Sequence, residues 1–162
     1  MGCTPRCASG IVLAKVGTMP LETTDDEVPR KGVPATSLVS LPVLVVDDDA
    51  ASNALILATL DAYGCRFEVV PSAEQALAAL RAFRARVVVM DLVQPLMSGL
   101  LLAQRLKQNQ PTSDIVLVAL VGFGGPDSER VAREAGFAAC AVKPVDPGAF
   151  ARTLLAAVEA AR

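Results

Sequence analysis

Three apolar runs in this sequence end on groups that can do chemistry. Val43-Leu44-Val45-Val46 leads into Asp47-Asp48-Asp49, Val87-Val88-Val89-Met90 into Asp91, and Ala139–Val142 into Lys143-Pro144. A fourth run, Ile115–Val121, opens onto Gly122-Phe123-Gly124-Gly125. If these runs are parallel strands of one sheet, their C-terminal ends share the edge where ligands bind in an open α/β sheet. Carboxylates gathered there repel one another: at about 4 Å and an effective dielectric of about 20, each pair costs up to ~4 kcal/mol. A raised pKa or a bound divalent cation relieves that cost. Hard oxygen ligands with no histidine or thiolate nearby favour Mg2+ or Mn2+. Lys143 adds a positive charge suited to an anion beside the metal. Metal, lysine and carboxylate together make a phosphoryl-transfer site, and an aspartate can itself be the acceptor. Taken singly, each aspartate reads as a helix cap or a solvated loop residue. The convergence of three strand ends is what argues against that reading.

The elements that would position these groups follow from the pattern. The runs at 43–46, 87–90 and 115–121 are continuous and β-branched, as expected of strands buried on both faces. Phe67-Glu68-Val69-Val70 and Ala139–Val142 are weaker strand candidates. Helical stretches lie between them. Ala50–Tyr63 carries apolar residues at helical spacing, Ser72-Ala73-Glu74-Gln75 opens a helix through Phe83 with a capping box, and Gly99–Gln108 is a third. Asp127 is the expected cap of a fourth helix ending at Gly136. Asp146-Pro147 places an N-cap before a proline at the first helical position of a fifth. Five strands alternating with five helices predict an α/β fold, a parallel sheet covered on both faces.

Composition narrows the function. The chain has 162 residues, enough for one domain plus a segment. Residues 1–40 hold Pro5, Pro20, Pro29, Pro34 and the acidic run Asp25-Asp26-Glu27, and read as a flexible N-terminal tail or linker before a domain at 41–162. The sequence contains no histidine. That excludes a Ser-His-Asp triad, a Cys-His pair, an HExxH zinc site and a phosphohistidine donor. Fifteen basic residues against 17 acidic, with no basic stripe, give little support for a nucleic-acid partner. No apolar run approaches the ~20 residues of a membrane span. Cys3, Cys7, Cys65 and Cys140 form no CxxC pair and read as thiols of a reducing, cytoplasmic compartment. The first strand–helix turn is acidic where a dinucleotide site needs glycines, and Gly122–Gly125 fits neither GxGxxG nor a P-loop, so these glycines read as loop punctuation.

VLVVDDD, VVVMDLVQPLMSG and REAGFAACAVKPVD, in that order and at that spacing, resemble the receiver domain of bacterial two-component response regulators. The resemblance covers Leu41–Arg162. It implies a flavodoxin-like (βα)5 fold with strand order 2-1-3-4-5, and a phospho-accepting module in a phosphorelay rather than an enzyme. Carried onto this sequence, Asp91 is the phosphoacceptor. Asp47 and Asp48 are the acidic pair that holds Mg2+ (or Mn2+), with Asp91 and the Val93 carbonyl as further ligands. Lys143 pairs with the phosphoryl oxygens, and its bond to Pro144 is cis. The pair is read as Asp47/Asp48 because the apolar strand ends at Val46, with Asp49 as the alternative second member. The implied partner is a histidine kinase or a histidine phosphotransfer protein, without direct contact to nucleic acid or membrane. Homodimer pairing through the fourth helix, fifth strand and fifth helix is a use the family makes of that face.

Two departures stand out. Val121 occupies the position where the family places Ser or Thr to hydrogen-bond the phosphoryl group, and Cys140 the position of the aromatic switch residue. A bond to a charged group is worth ~1.5–3 kcal/mol, so the valine implies a penalty of about 10–100-fold on phosphoryl stabilisation or switching. The Gly122 N–H is the remaining candidate donor there. Gln94 and Ser98 are smaller variations. Apolar Val93 and Phe123 flank the expected path of attacking water, which implies slow aspartyl-phosphate hydrolysis. Acceptor chemistry without the usual readout leaves a receiver-like domain that docks partners without phosphorylation as the alternative. A haloacid-dehalogenase-type phosphatase also uses an aspartate after its first strand, but Ala51 stands at its Thr/Val position and its later acidic pair is missing. No effector domain is expected after Arg162, and the sequence reads as a stand-alone receiver or the C-terminal receiver of a hybrid sensor kinase. Gly17-Thr18-Met19-Pro20-Leu21 faintly resembles the end of a kinase ATP-binding domain.

Overall fold

The computed structural model describes residues 38–92, 99–109, 112–122 and 124–161. The Val93, Gln94, Ser98 and Phe123 expectations, the kinase-like stretch 17–21, and Cys3 and Cys7 lie outside them. Ten elements alternate: β1 (Pro42–Val46), α1 (Ala50–Ala62), β2 (Arg66–Val70), α2 (Ala73–Ala82), β3 (Val87–Asp91), α3 (Gly99–Gln108), β4 (Val116–Val121), α4 (Pro126–Glu134), β5 (Ala139–Val142) and α5 (Pro147–Ala160). All neighbouring strands pair in parallel, in the order β2-β1-β3-β4-β5.

The period of two along each strand sorts the apolar residues into two layers. Val43 and Val45, Val87 and Val89, and Val116, Val118 and Leu120 face α1 and α5, where they meet Ile56, Leu60, Phe150 and Leu154. Leu44 and Val46, Val88 and Met90, and Leu117, Ala119 and Val121 face the other way, onto Ala76, Leu102, Leu106 and Ala132 of α2, α3 and α4. The three central strands are thus apolar throughout because both faces are covered. The edge strand β2 is buried only at Val70, which explains why its apolar signal is weaker.

Caps set the helix starts. Asp49 accepts from the Ala51 N–H, Ser72 from Gln75 and Asp146 from Ala149. Asp127 does not cap α4 as expected. Pro126 takes the first position of that helix, the N-cap is Gly125 with no side-chain cap bond, and Asp127 sits in the first turn. Proline's fixed φ and missing N–H suit that first position, so the helix begins two residues earlier than a side-chain cap at Asp127 would allow. The packed body also reaches back to Leu38, which is fully buried in the α1/α5 layer, while the Ser40 N–H donates to the Gly64 carbonyl at 2.7 Å. Among the described residues, no helix is long and apolar enough to cross a membrane.

Candidate functional site

The sheet register brings the candidate groups together. Val46 pairs with Met90, so the next residues, Asp47 and Asp91, emerge side by side. Both continue the odd-numbered series of their strands, on the side of the sheet facing α1 and α5. Asp91 in turn pairs with Leu120 of β4, and Val121 with Val142 of β5. The Lys143 N–H donates to the Val121 carbonyl at 2.9 Å, which seats the lysine at the same edge. The Lys143–Pro144 bond is cis, as the resemblance implied.

Lys143 Nζ donates to Asp47 Oδ2 at 2.6 Å and to Asp91 Oδ2 at 2.7 Å. The Asp47 side chain is fully buried, whereas those of Asp91 and Lys143 are 18% and 19% exposed. Burial alone would lower the lysine's pKa. The hydrogen bonds it donates to Asp47 and Asp91, with their charges, outweigh it and hold the ammonium above the ordinary lysine value. Asp47 Oδ1 accepts from the Asp49 N–H at 2.8 Å, and the Asp47 carbonyl accepts from Asn53 Nδ2 at 2.9 Å. A buried carboxylate is tolerated here because its described hydrogen bonds all come from donors, the Asp49 N–H and the Lys143 ammonium.

The three consecutive aspartates therefore divide their work. Asp47 is the buried anchor, Asp49 is the α1 cap, and Asp48 is exposed. Asn53 and Gly99 were not legible as site residues. Asn53 is a buried polar side chain on the packed face of α1, and that placement was the only available signal. Gly99 opens α3 directly beneath the end of β3: a Cβ there would lie 2.6 Å from the Asp91 carbonyl oxygen and 3.2 Å from Leu92 Cα. Both contacts are backbone and cannot move aside cheaply. Gly99→Ala is expected to cost about 1–3 kcal/mol, as overpacking does, and to displace Asp91. Urea unfolding of the variant beside the parent chain measures it.

Val121 and Cys140 lie on the other face. Val121 is buried in the layer under α2, α3 and α4, and Cys140 packs partly buried against that layer. Burial, and after it the charge of Glu129, raises the Cys140 pKa against the opposing pull of Arg133. Burial pushes Cys65 up to about 11, and its Sγ donates to the Leu38 carbonyl. Neither is a reactive thiolate. Among the described residues, nothing lies within 4 Å of a notional Cβ on Gly122.

Among the described residues, no three His, Cys, Asp or Glu side chains are gathered into a ready metal cage. The donor chemistry nevertheless fits a hard dication. Asp47 and Asp91 set two carboxylates against the ammonium of Lys143, exposed Asp48 follows Asp47 in the chain, and among the described residues no thiol is in contact with them. Mg2+ needs only one or two carboxylates and keeps waters for its remaining positions.

The structure is a doubly wound parallel sheet with an aspartate–lysine–aspartate cluster at its C-terminal edge, where open α/β sheets place their ligand sites. Comparison with known proteins gives the family. The model of the response regulator receiver domain matches residues 43–155, and the chain belongs to that family: it is a receiver domain of two-component signal transduction. It is 29% identical over 110 residues to the phosphate regulon transcriptional regulatory protein PhoB of Pseudomonas aeruginosa, covering 68% of this chain and 48% of that protein. It is 32% identical over 130 residues to the virulence sensor protein BvgS of Bordetella pertussis, covering 77% of this chain and 10% of that one. The chain thus spans about half of one relative and a tenth of the other. In fold it resembles a putative response regulator from Chloroflexus aurantiacus, with a TM-score of 0.70 at 22% identity over 73% of this chain and 97% of that one. The chemotaxis protein CheY4 of Vibrio cholerae gives 0.66 at 23% identity over 72% and 97%.

Proposed function

We propose that this receiver accepts a phosphoryl group on Asp91 from phosphohistidine of a kinase or phosphotransfer protein. The single observation carrying this reading is the Lys143 ammonium bridging buried Asp47 and part-exposed Asp91. One carboxylate is held as a fixed counter-charge, while the other is left at the surface where a donor can reach it. An Asp91 carboxylate oxygen attacks phosphorus, the P–N bond breaks, and the departing imidazole keeps the electron pair and takes up a proton from water. The product is an acyl phosphate on Asp91. Lys143 offsets the charge that builds on the phosphoryl oxygens, and the Gly122 N–H at the same edge is the candidate for a further contact. Asp47, Asp48, Asp91 and the Val93 carbonyl are the proposed Mg2+ ligands. Bound there, the ion neutralises phosphoryl charge.

The test is the intact mass of the chain after incubation with acetyl phosphate and Mg2+. A gain of about 80 Da, one phosphoryl group, is expected, and its loss in EDTA is expected with it. No gain with acetyl phosphate or with a phosphohistidine protein, from donors that label a control receiver, contradicts the reading.

Val121 supplies a second prediction. Val121→Thr adds a hydroxyl at a site 6% exposed. It is expected to cost about 1 kcal/mol in the free protein, where the hydroxyl enters an apolar layer, and, once the end of β4 turns it toward the phosphoryl group as the family resemblance implies, to raise phosphorylated occupancy about tenfold at limiting donor. Thermal melts and intact mass read the two effects separately. Cytoplasmic location belongs to the same proposal, as does a linker that ends before Leu38, since the packed body begins there rather than at residue 41.

A further inference from the structure

At the end of the sheet opposite Asp91, a cleft of about 1000 Å³ lies between the C-terminal halves of α2 and α3. Its floor is apolar, formed by Leu77, Leu80, Leu106 and Ile115, and Arg81, Arg84 and Arg105 rim it. None of the described lining residues is acidic. The described ion pairs use only Arg130 and Lys143 as cations. Compensation of helix dipoles accounts for Arg81 and Arg105 one at a time, since each sits in the last turn of its helix. It does not account for Arg84, which lies beyond α2, nor for the convergence of all three on an apolar floor. Such a surface fits an acidic segment with apolar ends.

The chain carries one. Leu21-Glu22-Thr23-Thr24-Asp25-Asp26-Glu27-Val28 has four carboxylates, no basic residue and an apolar residue at each end. We propose that this segment docks in the α2–α3 cleft, with Asp25, Asp26 and Glu27 against the three arginines and Leu21 and Val28 toward the apolar floor. The connection is short. The chain enters the packed body at Leu38, and the Pro42 carbonyl accepts from the Arg86 N–H at 2.8 Å, next to Ala85 of the cleft wall. From Glu27 to Leu38 an extended chain reaches about 35 Å, more than the ~20 Å breadth of a five-stranded sheet. Docking at this end leaves the Asp91 edge open.

The test is two-dimensional NMR of the full chain beside Asp25→Asn/Asp26→Asn/Glu27→Gln. Neutralising the run is expected to shift the amides of residues 77–85 and 105–109, and to leave those of α4 and α5 in place. A synthetic peptide of residues 19–30 is expected to bind the neutralised chain and restore those shifts. Arg81→Gln/Arg84→Gln/Arg105→Gln in that background is expected to weaken the peptide about tenfold, as three exposed ion pairs would. Cleft amides that do not move, or peptide binding indifferent to the three arginines, overturn the proposal. Shifts in the parent chain that grow with protein concentration assign the cleft to a second copy's segment, and also overturn it.

Discussion

Asp91→Asn is expected to abolish phosphoryl acceptance while leaving the fold intact. The amide has the shape of the carboxylate but is too weak a nucleophile to form an acyl phosphate. The cost to stability is expected to stay within about 1 kcal/mol. The Asp91 side chain is part-exposed, the asparagine oxygen still accepts from Lys143, and Lys143 keeps its shorter contact to Asp47. Intact mass with acetyl phosphate and a urea titration on the same preparation separate the two quantities. Unchanged labelling of the variant would move the acceptor elsewhere.

Lys143→Met is expected to affect both stability and chemistry. It keeps the length of the stem but removes the only cation that touches the fully buried carboxylate of Asp47 among the described contacts. Breaking a fully buried pair costs about 3–5 kcal/mol. Water reaches this site through Lys143 and Asp91, so about 2–3 kcal/mol is the expectation here. The rate of acceptance is expected to fall about 100-fold, the scale of one positioned charge at a transition state. The pH dependence gives an independent check. The Lys143 pKa is raised in the folded state, so its contribution is complete below the unfolded lysine value near 10.4 and is lost as pH rises through the higher folded value. The stability difference between parent and variant is therefore expected to be constant from about pH 7 to 9 and to shrink above about pH 10.5. A difference that already shrinks below pH 9 would show that the ammonium is not the stabilising partner.

Much of this molecule was legible because its signals are local. Val43–Val46, Val87–Met90 and Ile115–Val121 are continuous runs that could be read directly, Ala139–Val142 was the weaker signal, and Ser72 and Asp146 cap the helices they precede. Asp47, Asp91 and Lys143 were found because each ends a strand, and parallel pairing then carries all three to one edge. The unread features are those that depend on what lies across a contact. Nothing in the composition of residues 1–40 marks Leu38 as a core residue; it is one because Cys65 and Gly64 come back against the chain there. Asp127 looked like a cap because aspartate usually is one, and Pro126 displaced it. The division among Asp47, Asp48 and Asp49 follows from where α1 begins. Gly99 matters only because the Asp91 carbonyl lies against it.

The central claim is that Asp91 receives the phosphoryl group. Phosphotransfer from a phosphohistidine protein, followed by borohydride reduction and peptide mapping, tests it most directly, because reduction of an acyl phosphate turns its aspartate into homoserine. The chain contains no histidine, so no phosphohistidine on this chain can confuse the result. Homoserine at position 91, and at neither 47 nor 48, is the predicted outcome. Homoserine at another aspartate, or none after a donor has labelled a control receiver, would contradict the assignment.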